Sequence, residues 1–281
     1  MEEQKWTKVI EPKNHLLELN LVELIQYRDL IAMFIKRNFM TLYKQTVLGP
    51  LWLIITPIIN TIISTFVFGT IAKIPSDGVP YFLFYMAGST IWTYFANCIN
   101  NTANTFVNNA GVFGKVYFPR LTVPIATVVS GIINLLVQTS LFVGFMIYFA
   151  MNGAELHPNA WLLFTPVLII QVAMLGLGCG IIVSSLTTKY RDLTVLISFG
   201  VSLWMYITPI IYSISSLPEQ WKKLCMINPM APVVEMFRFA FLGVGTPDLF
   251  FWLISFAETL IILFCGVVLF NRVEKTFMDT V

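Results

Sequence analysis

Side chains that could do chemistry are sparse and scattered in this sequence. The two histidines, His15 and His157, are predicted to lie on opposite sides of a membrane, which argues against acid–base or metal chemistry at one site. No GxxxxGK[ST] motif is present, so no loop is predicted to hold the phosphates of a nucleotide. We therefore expect the chain to carry no catalytic residue, no metal site and no cofactor of its own.

Glu258 is the only acid that lies deep within a long apolar run. An ionisable group inside a membrane is either functional or held by a buried partner. The sequence leaves both interpretations open.

The most polar interruption between two long apolar runs extends from Asn101 to Arg120, with the sequence NTANTFVNNAGVFGKVYFPR. Its small apolar and aromatic residues with one lysine suit insertion into a groove on a partner protein, as a helix-in-groove contact. A solvated loop would leave several large apolar side chains exposed without explanation. The partner contact is assigned to Asn109, Val112, Phe113, Lys115 and Tyr117.

The composition that surrounds this stretch is that of a membrane protein. Hydrophobic residues make up 57% of the 281 residues and charged residues 11%, and the mean hydropathy is +0.78. Apolar runs near or above the roughly 20 residues that cross a bilayer satisfy their backbone polar groups as helices. Six transmembrane helices are predicted, at Leu51–Ile71, Val79–Ile99, Leu121–Met151, Trp161–Leu186, Thr194–Tyr212 and Leu249–Phe270. The third run is too long for a simple crossing, and Pro124 is expected to mark a turn or kink near its cytoplasmic end.

Loop charges predict the orientation of these helices. Most lysines and arginines fall on the side of both termini, whereas Lys73, Lys222, Lys223 and Arg238 fall on the other. Cytoplasmic loops carry the excess of positive charge, so both termini are predicted to be cytoplasmic. A net charge of +2 without a basic run argues against a nucleic-acid partner.

Residues 1–50 are predicted to form a cytoplasmic N-terminal segment that precedes a membrane domain, residues 51–281. Between Leu21 and Lys44, apolar residues recur on one helical face and polar or charged residues on the other. This pattern predicts an amphipathic helix at the membrane surface. Its polar face, which includes Arg28 and Arg37, rests either on lipid headgroups and water alone or also on a cytoplasmic partner.

Aromatic residues are dense in the second run. At a period of 3.6, Tyr81, Tyr85, Trp92 and Phe95 fall near one stripe. Rings at these positions either pack within the protein or line a conduit. If a conduit exists, we expect this stripe to face it.

The segment Ser213–Asp248 is too apolar for a free loop and too charged for a transmembrane hairpin. We predict two short helices in the outer leaflet, Glu219–Ile227 and Pro232–Leu242, separated by Asn228-Pro229. Such helices could cap an exit.

Four motifs together resemble one family. They are GxxWxxxxP from Gly49 to Pro57, NNAGVFGKVYFPR at Asn108–Arg120, KYRDL at Lys189–Leu193 and NPMAPVVEMFR at Asn228–Arg238. In their order and spacing they resemble the permease subunits of type-2 ABC exporters of lipid-linked polysaccharides, such as O-antigen, capsule and teichoic acid.

The resemblance implies a homodimer in the bacterial cytoplasmic (inner) membrane with two separate ATPase subunits that bind ATP and Mg. The substrate would be an undecaprenyl-diphosphate-linked glycan that passes between the subunits. ATPase contacts would include Arg28, Arg37, Asn109, Val112, Phe113, Lys115 and Tyr117. Channel residues would include Trp52, Tyr81, Tyr85, Trp92, Phe95 and Glu258. An outer gate would include Trp221, Asn228, Pro229, Glu235 and Arg238.

Other hypotheses remain at this stage. A teichoic acid or capsule exporter belongs to the same class, and a drug or lipid exporter, a stand-alone channel or a membrane enzyme fits less well. Within the exporter hypothesis, Phe113→Asp is expected to leave the protein folded but uncouple it from its ATPase.

Overall fold

The structure, a computed structural model, describes residues 21–43, 49–116, 118–188, 190 and 192–280. These residues form α-helices with short turns and no β-strand, so the prediction of an all-α membrane protein is confirmed. The helices are α1 Leu21–Gln26, α2 Arg28–Tyr43, α3 Trp52–Ser64, α4 Tyr81–Thr102, α5 Thr105–Phe113, α6 Thr122–Met151, α7 Thr165–Thr187, α8 Leu193–Ile207, α9 Glu219–Met226, α10 Met230–Leu242 and α11 Leu249–Thr280. A π-helix at Thr65–Ile71 extends α3, and a 3-10 turn at Ala160–Phe164 precedes α7.

Each of the six predicted runs is helical over most of its length. By length and apolarity, four helical stretches can cross a membrane: Trp52–Ile71, Thr122–Met151, Ala160–Thr187 and Leu249–Glu274. A fifth is added if α9 and α10, which meet at a bend of 100°, count as one broken span. The helix α4 is less apolar and α8 has only 15 residues, so six spans remain a prediction.

The structure places Pro124 in the first turn of the 30-residue helix α6. A proline in the first turn removes no helical hydrogen bond, because the N–H groups there have no partner within the helix. The predicted turn therefore lies just before Thr122, and the helix continues through the proline.

The centre of the bundle is α4, which packs against α6, α7 and α10. Most of its side chains are buried, including Phe84, Ile91 and Phe95. Small residues on α7 permit close approach of its neighbours. A Cβ on Gly176 would lie 2.6 Å from Cys98 of α4, and one on Gly178 would lie 2.9 Å from the Leu263 backbone of α11.

By contrast, α3 and α8 are the least covered of the long apolar helices. Only Thr61 is buried in α3 and only Val201 in α8. Large apolar side chains stand exposed along both, among them Ile59, Ile62, Ile63, Phe66, Val195, Leu196, Phe199 and Leu203. These two faces require lipid or another protein surface to cover them.

The two short helices after α8 are confirmed close to their predicted bounds, as α9 and α10. Asn228 holds the bend between them. Its Nδ2 donates to Thr208 Oγ1 at 2.8 Å, and its Oδ1 accepts from Trp204 Nε1 and from the Met230 backbone, both at 3.1 Å. Gly243 ends α10 in the left-handed conformation, where a Cβ would lie 2.6 Å from the His157 carbonyl.

Candidate functional site

The predicted partner contact is divided by the structure into a buried and an exposed part. Phe113, at the end of α5, is only 5% exposed and lies within a cluster of aromatic rings from this chain. Its ring packs on Phe106 and Phe118, and Phe106 stacks on Phe270 of α11 at 4.5 Å. Phe113 and Phe118 are thus covered by rings of this chain, an arrangement that the choice between a solvated loop and a partner groove did not include, and a contact of Phe113 with a partner protein stays a prediction.

The exposed part is a short segment that we call the α5 tip, residues 111–116 without Phe113. Val112 is 39% exposed, Val116 is 60% exposed, and Lys115 between them is also exposed. Asn109 lies one turn earlier, and its Nδ2 donates to the Thr105 carbonyl at 2.9 Å. Tyr117 lies outside the described residues.

The amphipathic segment is two helices, because a turn at Tyr27 separates α1 from α2. Phe34 is buried against Phe118 at 5.8 Å, and α2 packs along α6. The predicted apolar face is confirmed over residues 24–35. The structure thereby brings α2 and α5 to the same end of the bundle.

The two arginines of this segment are on its exposed side. Arg28 is highly exposed, with Asp29 at 3.9 Å as its neighbour. Arg37 is also exposed, and its guanidinium lies 4.7 Å from the centre of the Phe34 ring. Both stand where another molecule can reach them.

Beside Arg37 lies a cavity of about 410 Å³ that we call the amide groove. Its walls come from α2, from the junction of α4 and α5, and from α6. Amides and hydroxyls dominate the lining, and it includes Arg37, Asn38, Asn101, Asn109, Ser130 and Asn134. The groove was not predictable from the polar stretch Asn101–Arg120 alone, because α6 contributes one wall from a run that looks simply apolar.

The aromatic stripe of α4 is in the interior of the subunit. Tyr81, Tyr85, Trp92 and Phe95 are each at most 8% exposed, and they pack on neighbouring helices of the same chain. Tyr81 also donates to the Ile211 carbonyl at 2.6 Å. In this conformation the stripe presents no surface to a conduit between subunits. The hypothesis that these four rings line a channel stays a prediction. Trp52, at the start of α3, is 52% exposed.

At the opposite end of α4, Glu235 and Arg238 form what we call the buried ion pair. Arg238 has no exposed surface, and its Nη1 lies 3.3 Å from Glu235 Oε1. Its Nη1 and Nη2 also donate to the carbonyls of Pro209 and Ile210 at 2.6 Å each. Its Nε donates to the Phe84 carbonyl at 3.2 Å, and the guanidinium lies 3.7 Å from the centre of the Phe84 ring.

Arg238 is therefore a buried charge within the fold, and the side of the membrane on which it lies stays a prediction. Its side chain joins α10 to α4 and to the chain segment after α8, and each hydrogen bond from a charged group contributes about 1.5–3 kcal/mol. Glu235 Oε2 accepts from the Thr246 backbone at 3.4 Å. Gly245 makes room for that carboxylate, because a Cβ there would lie 2.7 Å from it.

The remaining predicted gate residues have different environments. Trp221 on α9 is 62% exposed. The Pro229 carbonyl accepts from Ser255 Oγ at 2.6 Å, and Gln171 Nε2 donates to the same hydroxyl at 2.8 Å. This polar network ties the bend to α7 and α11, and no local sequence signal pointed to it.

Two further polar features bear on the site. Asp77, in the loop before α4, accepts hydrogen bonds from Ser213 and Ser215, and no local pattern in the sequence indicates this contact. Glu258 on α11 is partly buried, and its Oε2 has no hydrogen-bond partner among the described residues. Both interpretations of Glu258, a functional group or a group held by a buried partner, therefore stay predictions.

Comparison with known proteins identifies the family. A family model described as "ABC-2 type transporter" matches residues 29–242. The chain belongs to the ABC-2 type transporter family. The matched residues include both ends of α4, the α5 tip, the amide groove and the buried ion pair.

Individual relatives of this ABC-2 transporter cover nearly its whole length. The O-antigen export system permease protein RfbA of Klebsiella pneumoniae is 27% identical, over 89% of this chain and 94% of the relative. RfbA of Myxococcus xanthus is 23% identical, over 92% and 98%. The polysialic acid transport protein KpsM of Escherichia coli is 24% identical, over 89% and 95%. The resemblance to a polysaccharide-export permease is confirmed.

Proposed function

We propose that this chain is the transmembrane subunit of an ATP-driven exporter that moves an undecaprenyl-diphosphate-linked, O-antigen-like polysaccharide across the bacterial cytoplasmic membrane. The observation that carries the proposal is the near full-length match to permeases named for O-antigen export. The absence of a nucleotide-binding GxxxxGK[ST] motif in the sequence supports placing ATP hydrolysis on a separate subunit. The match to a protein named for polysialic acid transport keeps a polysaccharide of that kind as the second candidate substrate.

In this proposal two copies of the chain assemble with two ATPase subunits. Both termini, α2 and the α5 tip lie on the cytoplasmic side, because cytoplasmic loops carry the excess of lysine and arginine. The exposed apolar faces of α3 and α8 supply surface for a second copy and for lipid. The helices α4 and α8 complete the six spans once neighbouring protein covers their polar groups.

The α5 tip is the point at which the ATPase acts on the membrane domain. Val112 and Val116 are exposed for the contact, whereas Phe113 is packed on Phe106 and Phe118, and Phe106 in turn stacks on Phe270 of α11. Arg120 reinforces the connection, because its Nη1 donates to the Glu274 carbonyl on α11 at 2.8 Å. When nucleotide closes the ATPase dimer, the tip, α5 and the end of α11 move together as a rigid body.

At the far end, α9 and α10 close the exit. Their bend is held to α8 through Asn228 and to α11 through Ser255, so a shift of either long helix changes the position of the pair. Opening requires α9 to move relative to α10, whereas the buried ion pair keeps α10 on α4.

The experiment that tests the proposal is purification of the chain with the ATPase encoded beside it. Val112→Asp and Val116→Asp place a charge on an exposed surface, so both variants are expected to fold and to lose ATPase association or glycan-stimulated ATP turnover. An apolar contact residue in the centre of an interface contributes about 2 kcal/mol, which corresponds to roughly 30-fold in affinity.

Val112→Thr is the matched control, since it keeps the shape of the side chain and adds no charge. Phe113→Asp is now expected to impair folding, because it would place a carboxylate in the aromatic cluster. Normal ATPase association and normal ATP turnover in both aspartate variants of the tip would overturn the assignment.

A further inference from the structure

The polar side chains that line the amide groove have no part in the coupling and gating roles proposed above. One cation, several amides and several hydroxyls line it, and none of the described lining residues is acidic. Amides both donate and accept hydrogen bonds, and a guanidinium is the side chain best suited to phosphate. This set matches a ligand that carries phosphate and many hydroxyl groups.

One wall of the groove is the first part of α6, a helix long and apolar enough to cross a membrane. On α6 its lining includes Thr127, Ser130 and Asn134, which recur at helical spacing on one face. From Val123 to Asn134 this wall extends roughly 16 Å along the helix, at 1.5 Å per residue. Polar groups at such depth in a spanning helix are costly and mark a functional surface.

Contacts across the groove hold its walls in place. Asn38 Nδ2 of α2 lies 3.5 Å from Ser130 Oγ of α6. The Phe34 ring lies beneath the Arg37 guanidinium. Arg37 is thus supported at the groove on its apolar side while its exposed side faces outward.

One apolar side chain of the groove is itself exposed. Phe39 lines the groove and is 42% exposed. A lipid tail can lie on this side chain while its headgroup enters the groove. Asn134 lies well inside α6, a helix long and apolar enough to span a membrane, which argues against a segment of the soluble ATPase as the occupant of the inner part.

We infer that the amide groove binds the diphosphate-and-sugar headgroup of a lipid-linked glycan before translocation, with Arg37 on phosphate and Asn134 on the inner end of the headgroup. The inference rests on the proposed function and adds to it the place where the substrate is first held. Lipid-attached diphosphate is the source that we favour, and free diphosphate shares its chemistry.

The test uses the complete complex of this chain with its ATPase, in nanodiscs of phosphatidylethanolamine and phosphatidylglycerol without nucleotide. Binding of radiolabelled undecaprenyl diphosphate is measured for the wild type, Arg37→Gln and Asn134→Leu. Loss of one charge-assisted hydrogen bond predicts about a tenfold or greater fall in affinity for Arg37→Gln, and loss of a neutral one about fivefold for Asn134→Leu.

Lys36→Gln is the matched control, because Lys36 is the neighbouring exposed cation and does not line the groove. Its affinity is expected to stay within about twofold of the wild type, since exposed charges outside a contact contribute little. Undecaprenol, which has the tail without the phosphates, is expected to compete poorly. Inorganic diphosphate is expected to compete only at much higher concentration.

Each outcome decides the inference. Unchanged binding by Arg37→Gln and Asn134→Leu, or an equal loss in Lys36→Gln, overturns the groove assignment but leaves the exporter proposal intact. Equal competition by undecaprenol or by inorganic diphosphate overturns the lipid-headgroup assignment. Loss of ATPase association in Arg37→Gln alone makes the groove a docking surface and also overturns it. Absence of binding by the wild type itself counts against the exporter proposal as well.

Discussion

Two arginines at opposite ends of the bundle show how the same side chain serves structure in one place and is available for binding in the other. Arg238 is fully buried, and its guanidinium donates to three backbone carbonyls and to Glu235. Arg37 is exposed on α2, beside a groove of amides and hydroxyls. Burial with four of the five guanidinium N–H donors used indicates a structural joint, whereas exposure beside a polar cavity indicates a binding surface.

The surroundings of the two arginines differ in the same way. Around Arg238, α4, α10 and the segment after α8 are packed closely enough that Gly88 has no room for a Cβ. Around Arg37, three separate helical elements leave a cavity. We therefore expect changes near Arg238 to affect folding and changes near Arg37 to affect the substrate.

The largest effect is expected for Arg238→Gln. The shorter neutral side chain cannot reach all three carbonyls, and Glu235 is left as a buried charge without its cation. Breaking a buried pair in this way costs about 3–5 kcal/mol. We expect a large loss of folded protein in the membrane and an apparent melting temperature in detergent that is lower by on the order of 10 °C.

The control combines Arg238→Gln with Glu235→Gln, which removes the buried carboxylate that Arg238→Gln alone would leave unpaired. The double variant is expected to recover part of the lost stability, because no buried carboxylate remains unpaired. An Arg238→Gln protein as stable as the wild type would break the comparison, since Arg238 would then not be a structural joint.

A smaller effect is expected for Gly88→Ala. The added Cβ would lie 2.7 Å from Arg238 Nη2, a group held by its own hydrogen bonds, and 3.3 Å from Ile210. Overpacking of this kind costs about 1–3 kcal/mol. Gly144→Ala on α6 is the matched control, because nothing lies within 4 Å of its Cβ position. Equal melting temperatures for the two alanine variants would contradict the close packing described around Arg238.

The smallest effect on stability is expected for Arg37→Gln. Arg37 is exposed, and its side chain makes a weak hydrogen bond to Asn38, at 3.4 Å, and a contact with the Phe34 ring. Substitutions at such surface positions change stability by less than about 0.5 kcal/mol. Expression and melting temperature should match the wild type, and a marked loss of either would show that Arg37 is a structural residue like Arg238.

The fold was largely predictable from the sequence. Apolar runs predicted where the long helices lie, and Asn228-Pro229 predicted the break between α9 and α10. The turn at Tyr27 was missed because the apolar face continues across it. The number of membrane-spanning helices was harder to predict, since α4 is covered by protein and so needs less apolarity than a lipid-facing helix.

The site was predictable in part. The local sequence pattern located the α5 tip but not the burial of Phe113, because the aromatic cluster around Phe113 also draws on Phe34 of α2 and Phe270 of α11, which are distant along the chain. Counting loop charges grouped Arg238 with lysines of the loops, since no local signal shows that carbonyls after α8 accept hydrogen bonds from its guanidinium. The amide groove depends on α2, α5 and α6 meeting in space, which spacing along one helix cannot reveal.

The most direct test of the account is a transport measurement with the purified complex in inside-out proteoliposomes. An undecaprenyl-diphosphate-linked glycan is supplied on the outside with ATP and Mg, and glycan that reaches the lumen is measured for the wild type and Val112→Asp. The account predicts ATP-dependent accumulation by the wild type and little or none by Val112→Asp in vesicles with equal amounts of the chain. Accumulation without ATP, or equal ATP-dependent accumulation by both proteins, would contradict the claim that an ATPase drives this permease through the α5 tip.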